Sequence, residues 1–305
     1  MSSGRPRHAG PGPRRAYLIA VVALGVLLAS GLGLAACGRS PAAHPAATRI
    51  LPERIISAPR SLLAAAGPQA DGTIWAVAGS SSVGLYEFDS ASGHELASAS
   101  VSRGARSVAE TSAGTVAVAL GGAASGALEL MGSTDKKARK TVSLPAPALQ
   151  VVTASTGSDF YVLTAWPNSA SVTIVTDRGR IVGTVPAPKD AVALAADPRQ
   201  RLLYVLQGNG IVDEIGLANG GIQSSFAVDG PGESIALSPD GSRLYVLKGT
   251  STVSNIAVVD VATESIARVL PAPSNCAELL VSPSGQQLYE VVGSPDYGNI
   301  QVFGF

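Results

Sequence analysis

Six short strand-like segments return along this chain at a nearly constant interval. They are Trp75-Ala-Val-Ala, Ala117-Val-Ala-Leu, Tyr161-Val-Leu-Thr, Tyr204-Val-Leu-Gln, Tyr245-Val-Leu-Lys and Tyr289-Glu-Val-Val. The steps between their first residues are 42, 44, 43, 41 and 44. A period of roughly 40–45 residues of strand-like sequence is the mark of a propeller blade, a four-stranded sheet that must pack on its neighbours to bury its faces. The expected architecture is all-β, a six-bladed β-propeller over residues 51–305.

The fifth repeat divides most clearly into four strands. Glu233-Ser-Ile-Ala-Leu reads as strand a, and Ser238-Pro-Asp-Gly241 as a tight turn with Pro and Gly where a reversal needs them. Arg243–Lys248, Asn255–Asp260 and Ser265–Leu270 follow as strands b, c and d. The sixth repeat stops after its strand c, at Phe305, while Glu53-Arg-Ile-Ile-Ser-Ala58 reads as a strand d with no a, b or c before it. If that N-terminal strand completes the last blade, the ring closes and no long sheet edge is left exposed. A seven-bladed ring, the alternative, would need a further repeat that the sequence does not contain.

Ser238-Pro-Asp-Gly-Ser-Arg-Leu-Tyr-Val-Leu, with Ile256-Ala-Val-Val-Asp-Val-Ala-Thr after it, resembles the YVTN-type propeller repeat of bacterial surface and exported proteins, to which lactonase-like propellers are related. The resemblance is good in the fifth blade and recognisable in the fourth and sixth. In the first three only Asp71-Gly72 or Ala113-Gly114 remains of the turn. It implies the fold and export, and hardly bears on activity.

The first 36 residues have the character of an address. Arg5, Arg7, Arg14 and Arg15 precede an apolar run from Tyr17 to Ala36, which leads into Leu34-Ala-Ala-Cys37. A basic start, an apolar stretch and small residues before a cut form the signal-peptide pattern. The tetrad resembles the bacterial lipobox, and that resemblance implies lipidation of Cys37 after cleavage. Two acyl chains anchor stably where one does not. A retained transmembrane helix is the competing reading, since 20 apolar residues just span a bilayer. Arg14-Arg15-Ala-Tyr-Leu18 also resembles a twin-arginine export motif. Residues 37–50, rich in Pro and Ala, read as a lipidated cysteine and flexible tether. The expected location is the extracytoplasmic face of the cell membrane.

Charge narrows the partners. Of 22 basic residues, four lie before residue 37, leaving 18 against 22 acidic ones and a net charge of −4. That balance argues against nucleic acid, which requires clustered Lys and Arg. The one basic run, Lys136-Lys-Ala-Arg-Lys140, is read as a solvated outer turn.

Candidate chemistry is sparse. Beyond residue 37 there are two histidines, His44 and His94, too few for a zinc or iron centre, so no metal or cofactor is expected. Cys276 reads as a small buried hydrophobe. Ser133-Thr-Asp-Lys136 matches the Ser-x-x-Lys pattern of penicillin-interacting enzymes, which needs a helix, yet it falls in a turn between strands. What remains is a ring of polar residues where each blade passes into the next strand a: Arg60, Arg106, Gln150, Lys189, Asp190, Glu233 and Asn275, with Glu278 nearby. Convergent polar groups at a concave mouth are ligand-binding candidates, or else they pair with one another around a water-filled funnel.

Two functions compete. The first is a non-catalytic binding or scaffold lipoprotein with a monomeric body that engages an envelope protein, peptide or glycan. The second is an exported hydrolase of lactonase-like type, with Glu233 or Asp190 as base and Arg60 or Arg106 steadying an oxyanion.

Overall fold

The computed structural model of the chain describes residues 51–305, apart from 80, 81, 123, 124, 155, 156, 198, 200, 250–252, 295 and 296. The segments expected to be signal peptide and tether, with Cys37 and His44, lie outside the described residues.

The architecture is an all-β propeller of six blades, each a four-stranded antiparallel sheet. The first strand, β1 (Arg54–Ala58), belongs to the last blade. Blade 1 contains β2 (Leu62–Ala66), β3 (Thr73–Gly79), β4 (Val83–Asp89) and β5 (Glu95–Ser100). Blade 2 contains β6 (Ala105–Glu110), β7 (Thr115–Gly121), β8 (Gly126–Gly132) and β9 (Ala138–Leu144). Blade 3 contains β10 (Ala148–Thr153), β11 (Asp159–Trp166), β12 (Ser169–Thr176) and β13 (Ile181–Ala187). Blade 4 contains β14 (Ala191–Ala196), β15 (Leu202–Gln207), β16 (Ile211–Gly216) and β17 (Ile222–Ala227). Blade 5 contains β18 (Gly232–Leu237), β19 (Arg243–Gly249), β20 (Ser254–Asp260) and β21 (Ser265–Ala272). Blade 6 contains β22 (Cys276–Val281), β23 (Gln287–Gly293) and β24 (Gly298–Gly304), and β1 completes it.

The closure expected from the two chain ends is present. β1 pairs antiparallel with β24, Ile56 opposite Ile300 and Arg54 opposite Val302. Inner strand packs on inner strand around the whole ring, with β22 against β2 at the seam. Ile56 is buried with Ile300, Ile74 and Phe88 at that junction, so β1 contributes core as well as hydrogen bonds.

Apolar clusters fill the six blade junctions. The first residue of each repeated segment faces forward and the second faces back. Tyr161 packs with Leu194 and Val205 between blades 3 and 4, whereas Val162 packs with Leu128 and Leu130 between blades 2 and 3. This period of two along β11 is what a strand buried on both faces requires. The outer strands are the most exposed: in β5 and β17 no residue is fully buried.

The turn between the first two strands of blade 5 is built as its residues suggest. Asp240 Oδ1 accepts hydrogen bonds from the Ser238 hydroxyl at 2.6 Å and the Ser242 amide at 3.0 Å. These donors hold the Asp240 carboxyl down at about 2. Gly241 follows at φ 75°, a conformation costly for any residue with a Cβ.

One expectation is corrected. The basic run at 136–140 is only partly a solvated turn, because β9 begins at Ala138. Lys136 Nζ lies 2.9 Å from Glu87 Oε2 and 5.8 Å from the centroid of the Trp75 ring. The Lys140 ammonium donates to the Arg178 carbonyl at 3.1 Å, tying blade 2 to blade 3.

Candidate functional site

The innermost strands β2, β6, β10, β14, β18 and β22 line a central channel. Each carries a bulge at the same place. The register against the next strand shifts between Leu62/Ala64, Ala105/Ser107, Ala148/Gln150, Ala191/Ala193, Gly232/Ser234 and Cys276/Glu278. A bulge leaves one residue unpaired and re-aims its neighbours. Here the unpaired residues are Leu63, Arg106, Leu149, Val192, Glu233 and Ala277. The residues just after them form a second ring: Ala64, Ser107, Gln150, Ala193, Ser234 and Glu278.

Read in order, this second ring is Ala-Ser-Gln followed by Ala-Ser-Glu, and its hydrogen bonds repeat with the same two-fold pattern. Ser107 Oγ accepts from the Val151 amide at 3.1 Å, and Ser234 Oγ accepts from the Leu279 amide at 3.2 Å. Gln150 Oε1 accepts from the Leu194 amide at 2.7 Å, and Glu278 Oε2 accepts from the Ala65 amide at 2.8 Å. In blades 2 and 5 the belt position of the preceding blade is Ala64 or Ala193, whose side chain has no acceptor to offer the equivalent amides of Val108 and Ile235. Across the axis Gln150 Nε2 approaches Glu278 Oε1 at 3.5 Å, joining the opposite blades 3 and 6. All four polar members of the ring are buried. The belt satisfies inner-edge amides that no strand can pair, as buried backbone donors require.

The belt also divides the channel. A cavity of about 450 Å³ extends from it to the turns that join the first two strands of each blade. Gln150 and Glu278 form its floor. Its wall begins with the residue after each belt position, Ala65, Val108, Val151, Leu194, Ile235 and Leu279. Higher up it reaches Glu110, Asp71 and Ser133 between blades 1 and 2. The lining side chains, among the described residues, include three carboxylates and no Lys, Arg or His.

Two of these carboxyls are strongly perturbed. Burial pushes Glu278 up to about 7, against the smaller opposing effects of the Ala65 amide and Gln150. Glu110 is 6 % exposed, its Oε2 has no hydrogen-bond partner, and burial pushes it up to about 7 as well. Trp75 and Ser133 act in the other direction, while the charges of Asp71 and Glu87 add to the rise. Removing a carboxylate from water without a partner favours its neutral form.

The residues expected to ring the mouth separate into two groups. Gln150 and Glu278 meet in the belt and line the cavity. Arg60, Arg106, Lys189, Asp190, Glu233 and Asn275 belong to the opposite end, where the inner strands begin. Arg60 donates to Ser82 Oγ at 2.7 Å, and Asn275 donates to the Gly293 carbonyl at 3.0 Å. Lys189 and Asp190 form an exposed pair at 3.9 Å, of little energetic consequence. Arg106 and Glu233 are bulge residues of blades 2 and 5, on opposite sides of the ring, and burial raises the Glu233 carboxyl. Glu110 and Ser234 were not among the expected site residues. Cys276 is buried, and its thiol is pushed far up by burial, so it is held as a neutral core residue. Among the described residues no three His, Cys, Asp or Glu side chains converge as a metal site would need.

No protein-family profile matches this sequence, and no curated protein matches it.

Proposed function

We propose that the chain is an exported lipoprotein whose YVTN-type propeller is a non-catalytic binding module, held on the extracytoplasmic face of the cell membrane through Cys37. Its partner is an envelope protein, peptide or glycan, engaged at the mouth of the central cavity. The observation that carries this reading is the cavity above the belt, with Gln150 and Glu278 at its base. Small-molecule and peptide sites are concave, mostly apolar and furnished with a few polar groups. The cup has a polar floor, an apolar band of Ala, Val, Leu and Ile above it, and polar groups again at the rim. The Leu-Ala-Ala-Cys37 tetrad and the Ser238-Pro-Asp-Gly turn support the export and family parts of the reading.

Lipidation is tested by metabolic labelling with a clickable palmitate analogue. Full-length protein is expected to carry label and to fractionate with membranes. Cys37→Ala is expected to lose more than 90 % of the label. Undiminished labelling of Cys37→Ala would overturn the anchor.

Binding is tested by photo-crosslinking in cells, with a photoreactive residue at Ser112 on the rim of the cup or at Ile222 on an outer strand. The rim position is expected to capture a discrete adduct that the outer position does not. Adducts at Ile222 alone would move the binding face elsewhere. Hydrolysis of a lactone by the wild type, lost in Glu278→Gln, would replace this reading with the enzymic one.

A further inference from the structure

We infer that the cup receives a primary ammonium group on an aliphatic stem, borne by a free alkyl amine or by a lysine side chain of a peptide, with Glu110 as its anionic partner. This rests on the cup being the binding site.

Three observations lead there. First, the charged side chains on the lining are Asp71, Glu110 and Glu278, all of one sign. A low-dielectric cleft lined by one sign focuses the field on the opposite charge. Second, Glu110 Oε2 is buried and unpartnered where the cavity reaches between blades 1 and 2. Lys136 is engaged with Glu87 at 2.9 Å, and the groups that favour the charged form of Glu110 are the neutral donors Trp75 and Ser133, so among the described residues no cation offsets its charge. Third, the lining carboxylates stand at two levels, Asp71 and Glu110 near the turns and Glu278 in the belt. Glu110 ends β6 and Glu278 sits at the third position of β22, three residues lower in the barrel of inner strands. At about 3.3 Å per residue, that is on the order of 10 Å along the axis.

That spacing suits an extended cation better than a metal ion, which needs its ligands together. Between the two levels the wall is Ala, Val, Leu and Ile, matched to a methylene stem. The stem would shed water onto the wall while the ammonium restores the charged state of a carboxylate that burial holds near neutrality.

The test is calorimetric titration of full-length protein in detergent at pH 7.5. The probes are pentane-1,5-diamine, pentane-1,5-diol, and the tripeptides Ala-Lys-Ala and Ala-norleucine-Ala with blocked termini. Expected results are one-to-one binding of the diamine, the lysine peptide or both, at least ten-fold tighter than the matching neutral probe. Which of the two binds names the source. Glu110→Gln is expected to weaken that binding at least ten-fold while leaving the unfolding midpoint within a few degrees.

Trp75, Asp71, Glu87 and Ser133 bear on Glu110, and Glu278, which burial also pushes to about 7, lies in the same cup. Binding near pH 7 should release protons, read as a buffer-dependent enthalpy that Glu110→Gln at least halves. If Glu110→Gln does not fold, the buffer dependence in the wild type still decides. Equal affinity for neutral and cationic probes, absence of amine binding, or a buffer-independent enthalpy each overturns the inference. If it fails while the Ser112 adduct persists, only the ligand chemistry is wrong. If the adduct is lost too, the cup itself is not the site.

Discussion

Glu290→Val is expected to stabilise the propeller by about 2–3 kcal/mol at pH 8, a rise of several degrees in the unfolding midpoint. The second position of the repeated segment is Val118, Val162, Val205 and Val246 in blades 2 to 5, each fully buried, and Ala76 in blade 1. Blade 6 has Glu290 there, 2 % exposed, with Oε2 unpartnered. Burial alone pushes its carboxyl up to about 7. Ionising it in the fold therefore costs up to ~3 kcal/mol relative to the unfolded chain. Valine removes that cost and matches the shape of the other junctions. The gain should shrink towards zero at pH 4, where the carboxyl is neutral in both states. Chemical denaturation at the two pH values checks both parts. A destabilised variant at pH 8 would mean that Glu290 has a compensating partner in solution.

The second large effect is on the wild type. Glu110, Glu278 and Glu290 all have folded values near 7, raised from the ordinary carboxylate value. A raised acid stabilises the fold fully below its unfolded value, and that contribution is lost as pH rises through the folded value. Each is worth up to ~3 kcal/mol, so together they should lower the midpoint by ten degrees or more between pH 5 and pH 8. Below about pH 4 the sign reverses for Asp240, held down at about 2 by its turn, so stability falls again. The maximum is expected near pH 5. A midpoint rising steadily from pH 5 to pH 8 would show these carboxyls to be solvated.

Much of the fold was legible because its cause is local. The period of the repeated segment set the number of blades, and the stray strand before Pro59 supplied the closure that β1 makes with β24. The site was legible in part, for a physical reason. Side chains alternate along a strand, so a one-residue slip sends a residue to the other face. The bulge in every inner strand introduces such a slip, and composition does not announce it. Arg106 and Ser107 are neighbours in sequence, as are Glu233 and Ser234, yet the first of each pair is the bulge residue and the second joins the belt. Gln150 and Glu278 were singled out, but their two-fold relation emerges only once the bulges align Ala64, Ser107, Gln150, Ala193, Ser234 and Glu278. Glu110 escaped attention because it lies at the far end of its strand, away from the residues that precede each strand a. Its signal was an acid directly after the apolar end of β6. Glu290 carried a clearer one, an acid at a position that four other repeats fill with valine.

A two-fold belt of side chains floors the channel. Amide hydrogen exchange followed residue by residue tests it most directly. The amides of Ala65, Val151, Leu194 and Leu279 each donate to a belt side chain and should be strongly protected, although they lie on the inner edge of their sheets. The equivalent amides of Val108 and Ile235, whose belt partners are alanines, should exchange at least ten-fold faster. Six amides exchanging at one common rate would contradict the belt and, with it, the floor of the cup.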